Sequence, residues 1–219
     1  MVRACMLDTT AFAFWSWTPP ILRWEAYMKI LGFNGAAAKT GAVAVLLSES
    51  LGAAAEEIAE FGDTPNTALV HLVDIVKEFH DGSFTNIPSS LQSTFDSMRT
   101  ADGFVFATPV HWFNMSALMK CFIDWLTSLE QDTHELEGKV AGVLAHCDED
   151  GGNQAVTSIL SPLVHMGMLV PPYCGFFRNQ TMGSQSEAGW QMVDHRLVGK
   201  NVVRLAACVQ FNKRGWKLI

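Results

Sequence analysis

From Met28 onward, short apolar runs alternate with segments that carry apolar residues at helical spacing, and this alternation restricts the fold more than any other feature. Short apolar runs that end at turn residues are typical of buried strands, while apolar residues three or four positions apart indicate helices. Strands are predicted at residues 30–33, 68–73, 103–107, 140–146 and 168–170. Helices are predicted from about Thr40 to Gly62-Asp63, and at residues 91–99, 114–128, 154–165 and 187–209. Because strands that alternate with helices form βαβ units, we predict an α/β domain with a mainly parallel sheet covered by helices on both faces.

The chain length fits one such domain and leaves no room for a second complete one. A domain of 219 residues buries roughly 70% of the surface that its unfolded chain exposes. We place the domain at residues 28–219, since Met28 precedes the first predicted strand. Residues 1–27 form an aromatic-rich extension that Pro19-Pro20 interrupts, and we expect it to pack on the domain surface. An arm that binds a partner protein is the alternative for this segment.

Charge and cysteine content argue against several classes of protein. The net charge of -7 provides no basic surface for nucleic acid. No window approaches the roughly 20 unbroken apolar residues of a membrane-spanning helix, and Asp8 interrupts the apolar run that a signal peptide needs. The 5 cysteines are widely spaced and include no CxxC pair, which is typical of a reducing compartment. We therefore predict a cytoplasmic protein without a metal ion.

Three turns that follow predicted strands are the segments in which we expect a ligand, because open parallel sheets bind ligands beyond the carboxyl ends of their strands. We name residues 34–42 the first turn, 108–116 the second turn and 146–153 the third turn. The first turn leads into a helix whose free backbone N–H groups and dipole favour a phosphate. Lys39 adds a charge and Thr40 a hydroxyl donor, although an ordinary strand-to-helix turn has a similar sequence. The candidate binding residues of the first turn are Asn34, Gly35, Ala36, Lys39, Thr40 and Gly41.

The second turn carries the most specific pattern of the chain. An apolar strand ends in Thr108-Pro109-Val110, the loop Trp112-Phe113-Asn114-Met115-Ser116 follows, and Lys120 and Asp124 lie on the next helix. In these features, the chain closely resembles the NADPH-dependent FMN reductase family and the related flavodoxin-like quinone reductases. The resemblance extends from about Met28 to Pro172. The other segments that resemble the family are Gly138-Lys139, Gly151-Gly152 and His165-Met166-Gly167-Met168.

The resemblance implies a flavodoxin-like, doubly wound sheet of five parallel strands, with FMN as the cofactor and NAD(P)H as the co-substrate. The second turn then lies against the pyrimidine edge of the flavin, where its backbone amides bond ring oxygens. Trp112 or Phe113 packs on the ring system, and Gly151-Gly152 let the third turn approach it closely. The cofactor-binding residues implied for these two turns are Thr108, Pro109, Val110, His111, Trp112, Phe113, Asn114, Cys147, Asp148, Gly151 and Gly152.

Catalysis in such a protein requires no acid or base from the chain, because hydride transfer is chemistry of the flavin. His111 is the one candidate catalytic side chain, with two interpretations: it hydrogen-bonds the flavin or the substrate, or it is an exposed loop histidine. We expect Cys147 to be a packing residue rather than a reactive thiol. We expect Asp148-Glu149-Asp150 to form a solvated loop.

The first turn departs from the family pattern, which usually has a Gly-Ser-Pro-Arg-like start and a later Asn-Thr. This chain has Gly35-Ala36-Ala37-Ala38 and Ala42-Val43 in those places, and each donor to a charged group that is lost is worth about 1.5–3 kcal/mol. The leading hypothesis is an FMN-dependent NAD(P)H oxidoreductase that passes electrons to flavin, quinone or a similar small acceptor by a ping-pong cycle. The alternative is a flavodoxin-fold structural or assembly subunit that has lost FMN, and an electron-carrying flavodoxin is a third hypothesis. The resemblance further implies a homodimer or homotetramer.

Overall fold

The computed structural model describes residues 27–83, 86–130, 134–181 and 194–211. Its strands are β1 (Lys29–Asn34), β2 (Asn66–His71), β3 (Gly103–His111), β4 (Asn114–Met115), β5 (Val140–Cys147) and β6 (Gly175–Asn179). Five of them form a parallel sheet in the order β2-β1-β3-β5-β6, and the short β4 pairs antiparallel with β3. This strand order is that of doubly wound flavodoxin-like proteins, so the predicted fold class is confirmed.

Helices cover both faces of the sheet. The described helices are α1 (Ala42–Glu60), α2 (Leu72–Ile75), α3 (Ser89–Arg99), α4 (Ala117–Trp125), α5 (Gly152–His165) and α6 (His195–Phe211). Helices α1 and α6 pack against each other on one face, and α3, α4 and α5 cover the other face. A Cβ atom at Gly199 would lie 2.1 Å from the carbonyl oxygen of Ser50, so the close approach of α6 to α1 requires glycine there.

The side chains of the central strands alternate between two apolar cores, as the pleat of a strand requires. In β1, Phe33 faces the core under α3, α4 and α5, whereas Ile30 faces the core under α1 and α6. In β3, Phe106 and Val105 divide in the same way. The Phe33 ring packs on the rings of Phe106 and Phe122 at centroid distances of 5.2 and 4.8 Å. Burial on both faces explains why these strands are apolar along their length.

One predicted strand is wrong. Residues 168–170 form no strand, because Leu169 makes only a single parallel bridge with Val140. The fifth strand of the sheet is β6, which begins at Gly175 and pairs with β5 alone. Since β6 is an edge strand whose side chains are half-buried or exposed, it carries the polar residues Arg178 and Asn179 and lacks a clear apolar pattern.

Several predicted boundaries also differ, among them that of the strand predicted at 68–73, which ends at His71 because residues 72–75 form α2. Strand β3 continues past Ala107 to His111. The predicted helix at 114–128 begins only at Ala117, because Asn114–Met115 turn back and pair with β3, and it ends in a 3-10 turn at Leu126–Leu129. The predicted start of the last helix at residue 187 lies outside the described residues, which resume at Asp194. The extension at residues 1–26 lies outside them as well.

Within the described ranges, no helix combines the length and the apolar character that crossing a lipid bilayer demands.

Candidate functional site

The three turns lie at one edge of the sheet, beyond the carboxyl ends of β1, β3 and β5. The chain runs from β1 through α1 to β2 on one side, and from β3 through α4 to β5 on the other. Because α1 and α4 leave neighbouring strands toward opposite faces, the first and the second turn flank a topological switch point of the sheet, which we call the crevice. Open α/β sheets bind their ligands at such a switch point.

Asn34 holds the first turn in shape. Its side chain is fully buried, and its Oδ1 accepts a 3.0 Å hydrogen bond from the backbone N–H of Ala36. Its Nδ2 lies 3.2 Å from the carbonyl oxygen of Ala38 and 3.0 Å from Nδ1 of His71. The backbone N–H of Gly35 donates to the carbonyl oxygen of Ala107 at 2.7 Å. The N–H groups of Gly35 and Ala36 therefore have internal acceptors, so these two candidate residues shape the turn instead of presenting donors.

The donors that remain open come after Ala36. Among the described residues, the backbone N–H groups of residues 37–44 have no hydrogen-bond acceptor. Gly41 precedes α1 without a side-chain cap, and the first turn of α1 contains no acidic residue. Unpaired amides at the positive end of a helix dipole form an anion-binding site, and the candidate residues Thr40 and Gly41 belong to this stretch.

Lys39 adds a positive charge at the same place. Its Nζ lies 2.6 Å from Oδ1 of Asp74 on α2, and the two side chains are 52% and 49% exposed. The hydrogen bond from Lys39 lowers the pKa of the Asp74 carboxyl, with slight burial acting in the opposite direction. An ammonium group donates three hydrogen bonds, so Lys39 keeps donors for a second anion while it contacts Asp74.

Ser116 joins the second turn to the first. Its Oγ donates to the carbonyl oxygen of Gly35 at 2.7 Å and, as the cap of α4, accepts from the backbone N–H of Met119 at 3.0 Å. The hydroxyl of Thr108 accepts from the N–H of Ser116 at 3.0 Å and donates to the carbonyl oxygen of Pro109 at 2.9 Å. Both hydroxyls are buried, so the candidate residue Thr108 supports the turn from inside.

The role of Ser116 as a helix cap was not predicted. A serine directly before a helix is a capping signal, and that signal was present in the sequence.

Trp112 and Phe113 form the tip of a hairpin between β3 and β4. Their φ angles are 48° and 64°, the left-handed pair that a two-residue hairpin needs and that Asn-Gly usually supplies. Trp112 is 96% exposed and Phe113 is 54% exposed. Two large apolar rings are thus held in a costly backbone conformation at the rim of the crevice, where they are free to pack on a planar ligand.

The other candidate residues of the second turn flank this hairpin. Pro109 and Val110 are half-buried, and His111 is exposed at the rim. Asn114 Oδ1 accepts 2.8 Å hydrogen bonds from the backbone N–H of Met115 and from the hydroxyl of Ser158 on α5. Asn114 therefore fixes the hairpin to α5.

The third turn packs directly against the hairpin. Gly151 has a φ of 84°, and a Cβ atom there would lie 2.6 Å from Cα of Phe113. Its N–H donates to Asp150 Oδ1 at 2.7 Å. Gly152 begins α5, where a Cβ atom would lie 2.3 Å from the Phe177 ring. Gly151 thus permits a close approach to the Phe113 backbone, and Gly152 a close approach to the Phe177 side chain.

Cys147 and Asp148 differ in their environment. Cys147 is 2% exposed, and burial raises the pKa of its thiol. Its Sγ lies 3.5 Å from the carbonyl oxygen of Arg178, which favours the protonated thiol of a packing residue. The Asp148 side chain is exposed, and the backbone carbonyl oxygen of Asp148 accepts a hydrogen bond from the N–H of Thr181 at 3.1 Å.

In the described part of the chain, no three His, Cys, Asp or Glu side chains lie together as metal ligands.

Together, the strand order and the three turns define a flavodoxin-like α/β protein with unpaired backbone amides at the start of α1 and exposed aromatic side chains on the β3–β4 hairpin. The chain belongs to the NADPH-dependent FMN reductase family, whose family model matches residues 28–182. The resemblance that the second turn indicated is therefore confirmed.

Two named relatives are similar over part of the chain. A probable NAD(P)H dehydrogenase (quinone) FQR1-like 2 from Arabidopsis thaliana is 38% identical over 81 residues, which are 36% of this chain and 29% of that protein. An NAD(P)H dehydrogenase (quinone) from Trichlorobacter lovleyi is 34% identical over 95 residues, which are 40% of this chain and 42% of that protein. The matched part spans less than half the length of either relative.

Solved structures share the fold. RosB with the bound intermediate 8-demethyl-8-formylriboflavin-5'-phosphate is similar with a TM-score of 0.63 and 19% identity, over 88% of this chain and 89% of that one. The apo form of the NADH:FMN oxidoreductase EMOB is similar with a TM-score of 0.59 and 20% identity, over 83% and 89% of the two chains. At these identities, the likeness concerns the fold.

Proposed function

We propose that this protein is an FMN-dependent NAD(P)H oxidoreductase that passes electrons to flavin, quinone or a similar small acceptor. The observation that carries the proposal is the row of unpaired backbone amides at residues 37–44, with Lys39 beside it, in a chain of the FMN reductase family. Two relatives that are named NAD(P)H dehydrogenases (quinone) support the quinone as one acceptor class.

The residues of the first turn fit a phosphate group. Backbone amides at a helix N-terminus bind phosphate without side-chain donors, so Ala36, Ala37 and Ala38 do not prevent binding. The absence of an acidic residue in the first turn of α1 removes the charge that would oppose it. Lys39 adds the one cationic side chain of this turn, at its exposed edge. We therefore assign residues 37–44 and Lys39 to the phosphate of FMN.

The second and third turns fit a planar ring. The rim rings of Trp112 and Phe113 supply apolar surface, and Gly151 lets the facing backbone lie close to Phe113. FMN supplies hydride acceptance and electron release when it is bound. The chain binds the cofactor, orients the nicotinamide against it and excludes water from the crevice. No described side chain needs to exchange a proton for this function, and His111 at the rim is placed to hydrogen-bond a substrate carbonyl.

A shared crevice supports a ping-pong cycle, in which the nicotinamide leaves before the acceptor enters. The purified protein should retain the yellow absorbance of oxidised flavin or bind added FMN in a fluorescence titration. Reduction by NADH or NADPH should precede any reaction with a quinone, and initial rates should give parallel lines in double-reciprocal plots. A protein that neither retains nor binds FMN would contradict the proposal.

A flavodoxin-fold subunit without cofactor is the second candidate, and the alanines of the first turn are the observation that favours it. FMN binding together with NAD(P)H turnover excludes this candidate. An electron-carrying flavodoxin is distinguished by stopped-flow mixing, because it is not reduced by NAD(P)H directly.

We further propose a cytoplasmic homodimer or homotetramer. The free thiols of Cys121, Cys147, Cys174 and Cys208 support a reducing compartment, and exposed aromatic side chains such as Trp112 support a subunit contact near the crevice. Light scattering after size-exclusion chromatography gives the oligomeric state.

A further inference from the structure

The side chain of Asn34 uses all of its hydrogen-bonding atoms to connect the first turn to His71. Its Oδ1 accepts from the N–H of Ala36 at 3.0 Å. One proton of its Nδ2 points to the carbonyl oxygen of Ala38 at 3.2 Å, and the other points to Nδ1 of His71 at 3.0 Å. Residues 36 and 38 lie on either side of residue 37, the first residue whose backbone N–H is unpaired. The hydrogen bonds of Asn34 therefore fix the backbone where the stretch of unpaired amides begins.

The orientation of the Asn34 amide is determined by the backbone. A backbone N–H is only a donor and a backbone carbonyl is only an acceptor. Exchanging Oδ1 and Nδ2 of Asn34 would place a donor against the N–H of Ala36 and an acceptor against the carbonyl of Ala38. Both contacts would then be lost at a fully buried residue, which is the costly outcome for a polar group.

The orientation of Asn34 in turn determines the protonation of His71. Because Nδ2 of Asn34 is a donor, Nδ1 of His71 must be the acceptor in their 3.0 Å contact. The imidazole therefore carries its proton on Nε2 and is neutral. A proton on Nδ1 would set two N–H groups against each other at this half-buried histidine, and the contact would open.

We propose that His71 is a positioning residue for the phosphate of FMN: its neutral imidazole holds Asn34, and Asn34 holds the backbone of the first turn in its binding conformation. This inference rests on the proposed function and adds a dependence on pH to it. A proton on Nδ1 removes the acceptor for Asn34, so we expect FMN binding to weaken when the imidazole becomes charged.

The charged groups near His71 are Asp74, Lys77 and, through its ion pair with Asp74, Lys39. Asp74 on α2 lies within electrostatic reach of His71 and of Lys77, which follows the helix. Asp74 is already paired with Lys39 of the first turn at 2.6 Å. Among the described residues, these are two ammonium groups and one carboxylate, and the direct contact of the imidazole is its 3.0 Å hydrogen bond with Asn34.

The first experiment tests the protein without cofactor. Nitrogen-15 NMR of the histidine rings at neutral pH should show His71 as the Nε2-protonated tautomer, assigned by comparison with His71→Asn. The backbone amide signals of Ala36 and Ala38 should shift as His71 is titrated and should stay unchanged with pH in His71→Asn. A proton on Nδ1 of His71 at neutral pH would overturn the inference, whether or not FMN binds.

The second experiment measures the FMN dissociation constant between about pH 5 and 8. In His71→Asn, a side-chain oxygen replaces Nδ1 as an acceptor that does not titrate, and His71→Leu removes the acceptor. His165→Gln is the matched control, because His165 is exposed at the end of α5. The phosphate of FMN itself titrates at about pH 6, and it does so in every variant. Only the difference between variants therefore reports on His71.

We expect acidification to weaken FMN binding in the wild-type protein and in His165→Gln by about tenfold more than in His71→Asn. The reason is that Nδ2 of Asn34, a buried donor, loses its acceptor only where His71 is present. We expect His71→Leu to bind about tenfold more weakly than wild type at the alkaline end of the range. Parallel pH profiles for the wild type and His71→Asn would overturn the inference. Absence of FMN binding at every pH would instead refute the proposed function, and the NMR result would then decide on His71 alone.

Discussion

The hydroxyl of Ser116 donates a 2.7 Å hydrogen bond to the carbonyl oxygen of Gly35, and so connects the cap of α4 to the turn that precedes α1. Oγ of Ser116 also accepts a hydrogen bond from the N–H of Met119. One buried side chain thereby fixes the relative positions of the two turns on either side of the crevice.

Ser116→Ala removes both interactions. We expect the free energy of unfolding to fall by about 1–2 kcal/mol, because a helix cap is lost and a buried carbonyl loses its donor. FMN binding should weaken as well, since the two turns are no longer held together. Urea unfolding and FMN titration measure the two effects. Ser93→Ala, at an exposed position of α3, should change neither quantity appreciably.

Lys39→Ala should weaken FMN binding by about tenfold at low salt, with a smaller effect at high salt, because an exposed charge is screened. Lys29→Ala is the matched control, since Lys29 lies at the opposite end of β1 and its Nζ contacts Thr100. Equal losses in the two variants would show that Lys39 acts only through the net charge of the protein.

Asp74→Asn should strengthen FMN binding by about two- to fivefold, because it releases Lys39 and removes a nearby negative charge. The lowered pKa of Asp74 sets the pH range of this difference. A carboxyl whose pKa is depressed stays ionised until the pH falls through the lowered value, so the difference between the variant and wild type should persist through mildly acidic pH. FMN titration at two pH values checks it, and weaker binding by Asp74→Asn would contradict the role given to Lys39.

Trp112→Gly should stabilise the protein by about 1 kcal/mol relative to Trp112→Ala. The residue has a φ of 48°, which glycine adopts without strain and alanine does not, and its side chain is 96% exposed, so little packing is lost in either variant. Urea unfolding of the pair isolates the backbone strain. If the ring of Trp112 packs on the flavin, both variants should lose FMN affinity equally.

Gly151→Ala should destabilise the third turn more than Gly62→Ala destabilises the end of α1. Both glycines have a φ near 85°, so both variants carry the strain of a left-handed alanine, about 1–2 kcal/mol. Only at Gly151 would the new Cβ also meet backbone, at 2.6 Å from Cα of Phe113. Unfolding free energies of equal size would show that the third turn yields to the methyl group without cost.

The central strands could be predicted from the sequence because burial on both faces makes them apolar throughout. The edge strand β6 could not, because Arg178 and Asn179 are tolerated where one side of the strand meets solvent. The three turns were placed correctly at the strand ends, since that position follows from topology. The contact of His71 with Asn34 and the contact of Ser116 with Gly35 join residues 37 and 81 positions apart, which no local pattern contains.

The hairpin tip was missed for a different reason. Turn chemistry predicts Asn or Gly where the backbone is left-handed, and Trp112-Phe113 violates that rule.

Because the first turn presents main-chain donors in place of hydroxyl and guanidinium groups, almost any small residue is compatible with what it offers a phosphate. Substitutions among small residues at positions 36–38 therefore leave the donors of the loop unchanged as long as its backbone geometry persists.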